Sequence, residues 1–420
     1  MTKVFKFGGA LMKDAEGIRK VALLIKPFVN DPLIVVVSAL GKTTNNLEEI
    51  LQLSLDKKNR ELDNALAKLK QKHIHIIDQL FGETHTCNKK LSELFEKLDR
   101  ELKDLSSDRY HSYDRIVSYG EKFSSLILNE YFTQEKLPCR PVDARSIIST
   151  DNNYTSAKVN WEKTRKNVSA YVLPILNTGK LMLTEGFIGS DSTGYTTTLG
   201  REGSDFTAAV LANILDAKEV SIWKDVPGLM NADPNRFDDS IKLDQISYHE
   251  AIELAFYGAS VIHPKTIQPL QQKNIPLFVR SFPDPDTNPS IISKDTSMDD
   301  KVHKTIVKDK QVLFSINSRD LSFIAEDHLT NIFKTFSRHK IHINLMQHSA
   351  VSFSVCFDSD MNKLEKVLND LKDEFLIKYN DGLQLITVRH YSKKIIIDLV
   401  KDREVFLEQK SRSTIQVLVK

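Results

Sequence analysis

Apolar positions change their period along this chain, and the changes mark its elements. Residues 4–7 (VFKF) open as a short strand that stops at Gly8-Gly9. Across residues 14–29, Ile18, Val21, Ala22, Ile25 and Val29 recur at the spacing of one helical face. Residues 32–39 (PLIVVVSA) are almost unbroken and β-branched, which predicts a strand buried on both faces. Strand, helix and second buried strand predict a βαβ unit with a parallel sheet.

Residues 47–105 differ. They are highly charged, with one apolar series at Leu62, Leu66, Leu69, His73, Ile76 and Leu80 and a second from Leu91 to Leu105. This predicts two amphipathic helices in a hairpin broken near Phe81-Gly82, their charges on solvated faces. After Ile116, strands and helices alternate again. Residues 173–176, 181–184 and 219–223 read as strands and 206–215 as a helix. Residues 282–304, rich in Pro, Asp and Ser, read as a linker. Beyond it, strands are predicted at 311–316, 341–346, 352–357, 383–389 and 414–419, with helices at 329–339 and 363–374. That βαββαβ order gives an antiparallel sheet with helices on one face. The fold class is therefore α/β: a parallel-rich sheet sandwiched by helices over 1–295, then a smaller α+β domain over 306–420.

Composition narrows the field. The 420 residues suit two or three domains, and 41% hydrophobic with 27% charged residues is ordinary globular usage. With 58 basic against 56 acidic residues the formal charge is +2, so no basic excess marks a nucleic-acid binder. Cys87, Cys139 and Cys356 are widely spaced, odd in number and outside any CxxC pair. A disulfide framework or zinc site is not expected, and a reducing cytoplasm fits. No apolar run approaches the ~20 residues of a membrane span, and MTKVFKFGG lacks the apolar stretch of a signal peptide.

Several segments could carry chemistry. In Lys6-Phe7-Gly8-Gly9, paired glycines after a strand let backbone N–H groups approach an anion, and Lys6 adds a full charge. Gly41-Lys42-Thr43 resembles the end of a phosphate-binding loop, but Val36 occupies the position that motif gives to glycine. Gly200-Arg-Glu-Gly-Ser-Asp205 is a polar loop opening a helix; Arg201 offers a planar fork to a carboxylate. The turn-rich stretch from Lys224-Asp225 to Pro234 follows a strand, where α/β folds bind ligands. Glu121 opens another helix. No histidine pair has metal-ligand spacing, so no protein metal site is predicted.

Taken in order, KFGG, VVVSALGKTTN, SYGEKFS, LTEGFIGSDSTGYTTTLGREGSD, WKDVPGLMNADP and FYGASVIHPKTI strongly resemble the aspartate kinases of the amino acid kinase superfamily over residues 2–295. Residues 306–420 are similar, more loosely, to the ACT-type regulatory region of that family. The resemblance implies ATP-dependent phosphorylation of the β-carboxylate of L-aspartate, the first step toward lysine, threonine and methionine. It assigns catalytic roles to Lys6 and Asp205, and aspartate binding to Ser38, Thr44, Glu121, Phe187, Arg201, Ser204 and Asp205. Arg201 would take the α-carboxylate, while Glu121 and Asp205 face the ammonium. Nucleotide binding falls to Lys6, Gly8, Gly9, Lys224, Asp225, Met230 and Arg236. It extends to Ser260, which stands where relatives carry a lysine, and to Lys265, five residues on, as a substitute. Magnesium would ride on the ATP oxygens, and a homodimer would form through the ACT-like region. A catalytically weakened amino-acid-binding regulator, or a kinase of another amino acid on the same fold, is the alternative.

The chain also departs from the family pattern. Ala10-Leu11 stand where the glycine loop normally carries two hydroxyls, and Glu202 replaces a glycine. In the regulatory region Asn344 and Ala350 stand for carboxylates that relatives use to bind lysine. About 25 residues separate Arg389 from the closing strand, too few for a complete second ACT unit.

Overall fold

The computed structural model describes residues 1–259, 262–320 and 322–420. An eight-stranded sheet organises the first part of the chain. Its strands run in the spatial order Gln245–Ser247, Ser290–Ser293, Leu277–Ser281, Glu219–Lys224, Lys3–Phe7, Leu33–Val37, Leu181–Glu185 and Cys139–Val142. Every pairing is parallel except that of Leu277–Ser281 with Ser290–Ser293. All five residues of Leu33–Val37 are buried, as the unbroken apolar run predicts.

Alternate residues of these strands face two helical layers. Phe5, Phe7, Val35, Val37, Leu181 and Leu183 join a core built with Ala15–Ile25 and the helices between residues 43 and 134. On the other side the wholly buried helix Gly203–Ile214 packs on Lys3–Phe7 and Glu219–Lys224. The predicted hairpin is Asn59–Phe81 and Thr86–Lys103, broken at Gly82, whose φ of 87° ends the first helix. Residues 47–55 belong to a separate preceding helix, Thr43–Leu55.

Two expectations fail. Residues 173–176 form the start of a short helix, Leu173–Asn177, because Pro174 sits in its first turn, where a missing N–H costs nothing. The segment 282–304 is not simply a linker. Its Ile291-Ile292 pair forms the strand Ser290–Ser293, which joins the large sheet inside a Pro- and Asp-rich stretch.

The second sheet is antiparallel and six-stranded, in the order Ile343–His348, Ser352–Asp358, Lys304–Ser318, Phe375–Arg389, Thr414–Val419 and Val405–Lys410. Its central pair are 15 residues long each, with register shifts between Lys308 and Leu313. Helices Glu326–Arg338 and Met361–Leu371 bury Ile332, Phe336, Leu364 and Val367 against Phe314, Val355 and Phe357. Beyond Arg389 the chain adds one helix, Lys393–Val400, over Ile386, Val388, Ile415 and Val417. That helix and the strand Val405–Lys410 are absent from the sequence reading.

The chain forms two compact units, each assembled from three segments. One is Met1–Leu229, Lys242–Ile252 and Val261–Thr296; the other is Met230–Ile241, Glu253–Ser260 and Ser297–Lys420. Among the described residues no helix is long and apolar enough to cross a membrane.

Candidate active site

Because Lys3–Phe7, Leu33–Val37, Leu181–Glu185 and Glu219–Lys224 run parallel, their C-terminal ends meet at one edge. Ligands of open α/β sheets bind outside that edge. Lys6 lies at the end of the first strand, Ser38 just beyond the second, Gly186 and Phe187 beyond the third, and Lys224 at the end of the fourth.

A cavity of about 410 Å³ opens there. Lys6, Ser38, Thr44 and Glu121 line it from one side, and Phe187, Arg201, Ser204 and Asp205 from the other. These are all eight residues assigned to catalysis and aspartate. Close backbone approaches bring the walls together. A Cβ on Gly203 would come within 2.7 Å of the Phe187 ring, and one on Gly186 within 2.5 Å of Ser204 Cβ. Between them Phe187 takes a left-handed conformation (φ 69°), fixed by its N–H donating to Thr207 Oγ1 at 3.0 Å. Gly120 packs on Ala39, where a Cβ would meet the alanine methyl at 2.8 Å. That contact delivers Glu121 to the site.

Glu121 is 3% exposed. Its Oε1 accepts from the Ala39 N–H at 3.2 Å, whereas Oε2 has no hydrogen-bond partner. Burial pushes its carboxyl up to about 8, against the lowering effect of the Ala39 N–H and with help from the Glu185 charge. A buried carboxyl with an orphan oxygen on a cavity wall is a receptor for a cation. Arg201, by contrast, is exposed and makes no hydrogen bond or ion pair among the described residues. Lys6 Nζ stands 2.7 Å from Asp205 Oδ1, yet this oxygen gains no aligned hydrogen bond from the contact. The site thus presents a cation paired with a carboxylate, a free guanidinium and a buried carboxyl with an orphan oxygen.

The glycine loop is built as its sequence requires at Gly9, where a Cβ would lie 2.0 Å from the Ala39 carbonyl. Ala10 is exposed and Leu11 is buried in the core, so position 11 serves packing rather than hydrogen bonding.

The other nucleotide residues are not on this cavity wall. Lys224 ends the strand beside Lys3–Phe7, and Asp225 follows it. Met230 and Arg236 belong to the second unit, where Arg236 is in a two-armed ion pair with Asp309 and lies 3.7 Å from Asp233. That pair holds the Asp309 carboxyl down at about 2. Lys265 Nζ donates to the Leu199 carbonyl at 2.8 Å and lies over the Phe206 ring, so its charge is engaged at the loop that carries Arg201. Ser260 lies outside the described residues.

The sequence reading missed the support of this loop. Asp114, fully buried, accepts from the Thr198 N–H and Oγ1, both at 2.7 Å, and from the Thr155 N–H at 3.0 Å. Burial raises its carboxyl, and the Thr198 and Thr155 donors oppose that. Thr155 and Thr198 both line the cavity, as does Tyr113. A carboxylate on the inner side of a helix has no periodic signal; the buried run Thr196–Thr198 was the available clue.

A cavity at the C-terminal edge of a parallel sheet, lined by Lys6, Glu121 and Arg201, is laid out for a small charged molecule. Residues 1–281 match the amino acid kinase family, and the chain belongs to it. It is 29% identical over 394 residues to lysine-sensitive aspartokinase 3 of Escherichia coli (strain K12), covering 92% of this chain and 86% of that protein. To aspartokinase 1, chloroplastic, of Arabidopsis thaliana it is 29% identical over 406 residues, covering 92% and 70%. Among solved structures, E. coli aspartokinase III in complex with aspartate and ADP (R-state) superposes with a TM-score of 0.84 at 26% identity, covering 100% of this chain and 96% of that one. The same enzyme with lysine and aspartate (T-state) gives 0.83 at 26% identity, covering 99% and 95%. The antiparallel second sheet with helices on it is consistent with an ACT-like domain.

Proposed function

We propose that this protein transfers the γ-phosphoryl group of ATP to the β-carboxylate of L-aspartate, giving 4-phospho-L-aspartate for amino-acid biosynthesis. One observation carries the assignment. A single cavity holds an unpaired guanidinium at Arg201 and, at Glu121, a buried carboxyl with an orphan oxygen. These match the α-carboxylate and α-ammonium of an amino acid and leave its side chain to face Lys6.

The reaction needs no general base. A carboxylic acid side chain of pKa ~3.9 is already ionised at neutral pH, so a β-carboxylate oxygen attacks phosphorus directly as the bond to ADP breaks. The obstacle is bringing two anions together. Lys6 and the backbone N–H groups of Gly8 and Gly9 answer it by placing fixed positive charge where negative charge gathers. Ser38, Thr44, Phe187 and Ser204 shape the aspartate pocket, and Asp205 holds the Lys6 ammonium until substrate arrives. Lys224 and Asp225 face the nucleotide side. Asp205, the carboxylate beside Lys6, is already paired with that ammonium, so magnesium would be carried mainly on phosphate oxygens and water, where it would screen phosphate charge.

Self-association is assigned to the second unit, whose sheet ends in the strand Ile343–His348 with Met346 half exposed. An open edge of this kind suits a second copy of the chain, giving a homodimer.

Incubation with ATP, magnesium and L-aspartate, with hydroxylamine as trap, should give aspartyl hydroxamate with matching ADP release. Equal or better turnover of L-glutamate would overturn the substrate assignment.

A further inference from the structure

Arg201 stands on a short loop, and both ends of that loop are tied to the same turn. Glu202 has φ 52° and ψ 30°, a left-handed backbone that side chains other than glycine rarely adopt. It directly precedes the helix Gly203–Ile214, yet its side chain does not cap that helix. Its carboxylate reaches elsewhere: Oε2 accepts from the His263 N–H at 2.7 Å. His263 in turn caps the helix Pro264–Gln272, with Nδ1 accepting from the Lys265 N–H at 3.2 Å. The Lys265 ammonium closes the ring by donating to the Leu199 carbonyl at 2.8 Å, its charge lying 4.6 Å from the Phe206 ring centroid.

The two side-chain bonds run in opposite senses. A carboxylate from the loop takes an N–H of the turn, and an ammonium from the turn gives to a carbonyl of the loop. Leu199 and Glu202 are the anchors, and Gly200 (φ 76°) and Arg201 are all that lies between them. A glycine at 202 would adopt this backbone without strain, but it could not reach His263. The strain is retained at a residue lining the cavity, where such conformations are often kept for a purpose.

We propose that Glu202 is a positioning residue for aspartate, clamping the Arg201 loop to the turn at His263–Lys265 so that the guanidinium is held ready for the α-carboxylate. This rests on the aspartate reading of the cavity. With the loop fixed, binding does not have to order Arg201. The expected signature is a large effect on aspartate KM and a small one on kcat, because the α-carboxylate is remote from the transferred phosphoryl group.

Three proteins test it: wild type, Glu202→Gly and Glu202→Gln. Glycine relieves the backbone strain, so Glu202→Gly should fold with an unchanged or higher Tm. Its aspartate KM should rise ~10-fold, the factor expected when a hydrogen bond to a charged group is lost, with kcat within ~3-fold of wild type. The Gln amide oxygen can still accept from His263, so Glu202→Gln should recover most of that loss. Amide hydrogen exchange of peptides covering 199–206 and 262–266, without substrate, reads the clamp directly. Exchange should be ~10-fold faster in Glu202→Gly than in the other two proteins. Equal exchange in all three overturns the clamp. Faster exchange with aspartate KM within ~2-fold of wild type overturns the positioning role. If wild type does not phosphorylate aspartate, the functional reading fails and the positioning role with it, while exchange still decides whether the clamp exists.

Discussion

Lys6 Nζ and Asp205 Oδ1 face each other at 2.7 Å with side chains 11% and 4% exposed. The cation that would neutralise the transferring phosphoryl group is therefore held by a carboxylate from the opposite wall. Lys6→Ala should lower kcat by ~10²-fold or more, the usual effect of losing one preorganised electrostatic donor. It also strands Asp205 as a buried charge, so unfolding should become easier by ~3 kcal/mol. Steady-state kinetics and denaturant titration read the two effects separately. Wild-type kcat in Lys6→Ala would refute the cradle.

On the proposed reading of the cavity, aspartate binding should be proton-linked through Glu121. Its carboxyl is raised to about 8 by burial, so at pH 7 the empty site holds it mainly protonated. An ammonium beside Oε2 favours the ionised form and expels the proton. Titration calorimetry in buffers of different ionisation enthalpy should detect release of up to ~1 proton at pH 7, absent in Glu121→Gln. Aspartate affinity should rise as pH climbs toward 8. The stability sign is opposite. Between its ordinary 4.5 and about 8 the folded protein holds a proton that the unfolded chain has lost, so the contribution of Glu121 to stability falls as pH rises. Glu121→Gln should accordingly have a higher Tm than wild type at pH 8.5 and a much higher aspartate KM.

Asp114 bears the same loop from beneath. Replacing it with Asn puts an amide where two carboxylate oxygens accept from Thr155 and Thr198. At least one buried donor then loses its partner, at a cost of ~1–3 kcal/mol. Aspartate kcat/KM should fall by ~10-fold or more as the loop loosens. Unchanged kinetics together with unchanged Tm would show that Thr198 is held by other means.

L-lysine should inhibit weakly or not at all at low millimolar concentration. Asn344 has no carboxylate to offer an ammonium, and its Oδ1 already accepts from Lys308 Nζ at 2.9 Å. Its amide nitrogen donates to Gln311 at 2.8 Å and Asp358 at 3.0 Å. A lysine ligand would have to displace the protein's own ammonium and would still miss the charge-assisted bonds, a loss of ~10²-fold in affinity or more. An inhibition curve beside calorimetry decides this. Saturable binding below ~0.1 mM would defeat it.

The residues of the proposed aspartate pocket were legible in the sequence and their supports were not, for a physical reason. Lys6, Gly9, Arg201 and Asp205 stand in short runs whose chemistry is local: a strand end, a glycine turn, a helix start. Asp114, Glu202 and Lys265 work through partners dozens of residues away, and no local pattern connects Glu202 to His263. The same limit explains Arg236. Its stretch reads as a ligand turn, but Asp309 from a distant strand takes its guanidinium. Secondary structure failed where composition outvoted pattern, as at Ser290–Ser293, and where one proline reversed a short apolar run, at Leu173–Asn177.

Each unit is assembled from three separate stretches of the chain. Met230–Ile241 and Glu253–Ser260 fold with the C-terminal sheet although both precede residues of the first unit. Glu253 is tied to Arg389 at 2.8 Å, and Asn231 and Arg236 to the strand Lys304–Ser318. A chimera that swapped in foreign control machinery at residue 297 would leave both insertions behind, without the sheet they pack on. Any transplant must carry three pieces at once. Point substitution leaves all three pieces in place and is the simpler way to retune such a chain.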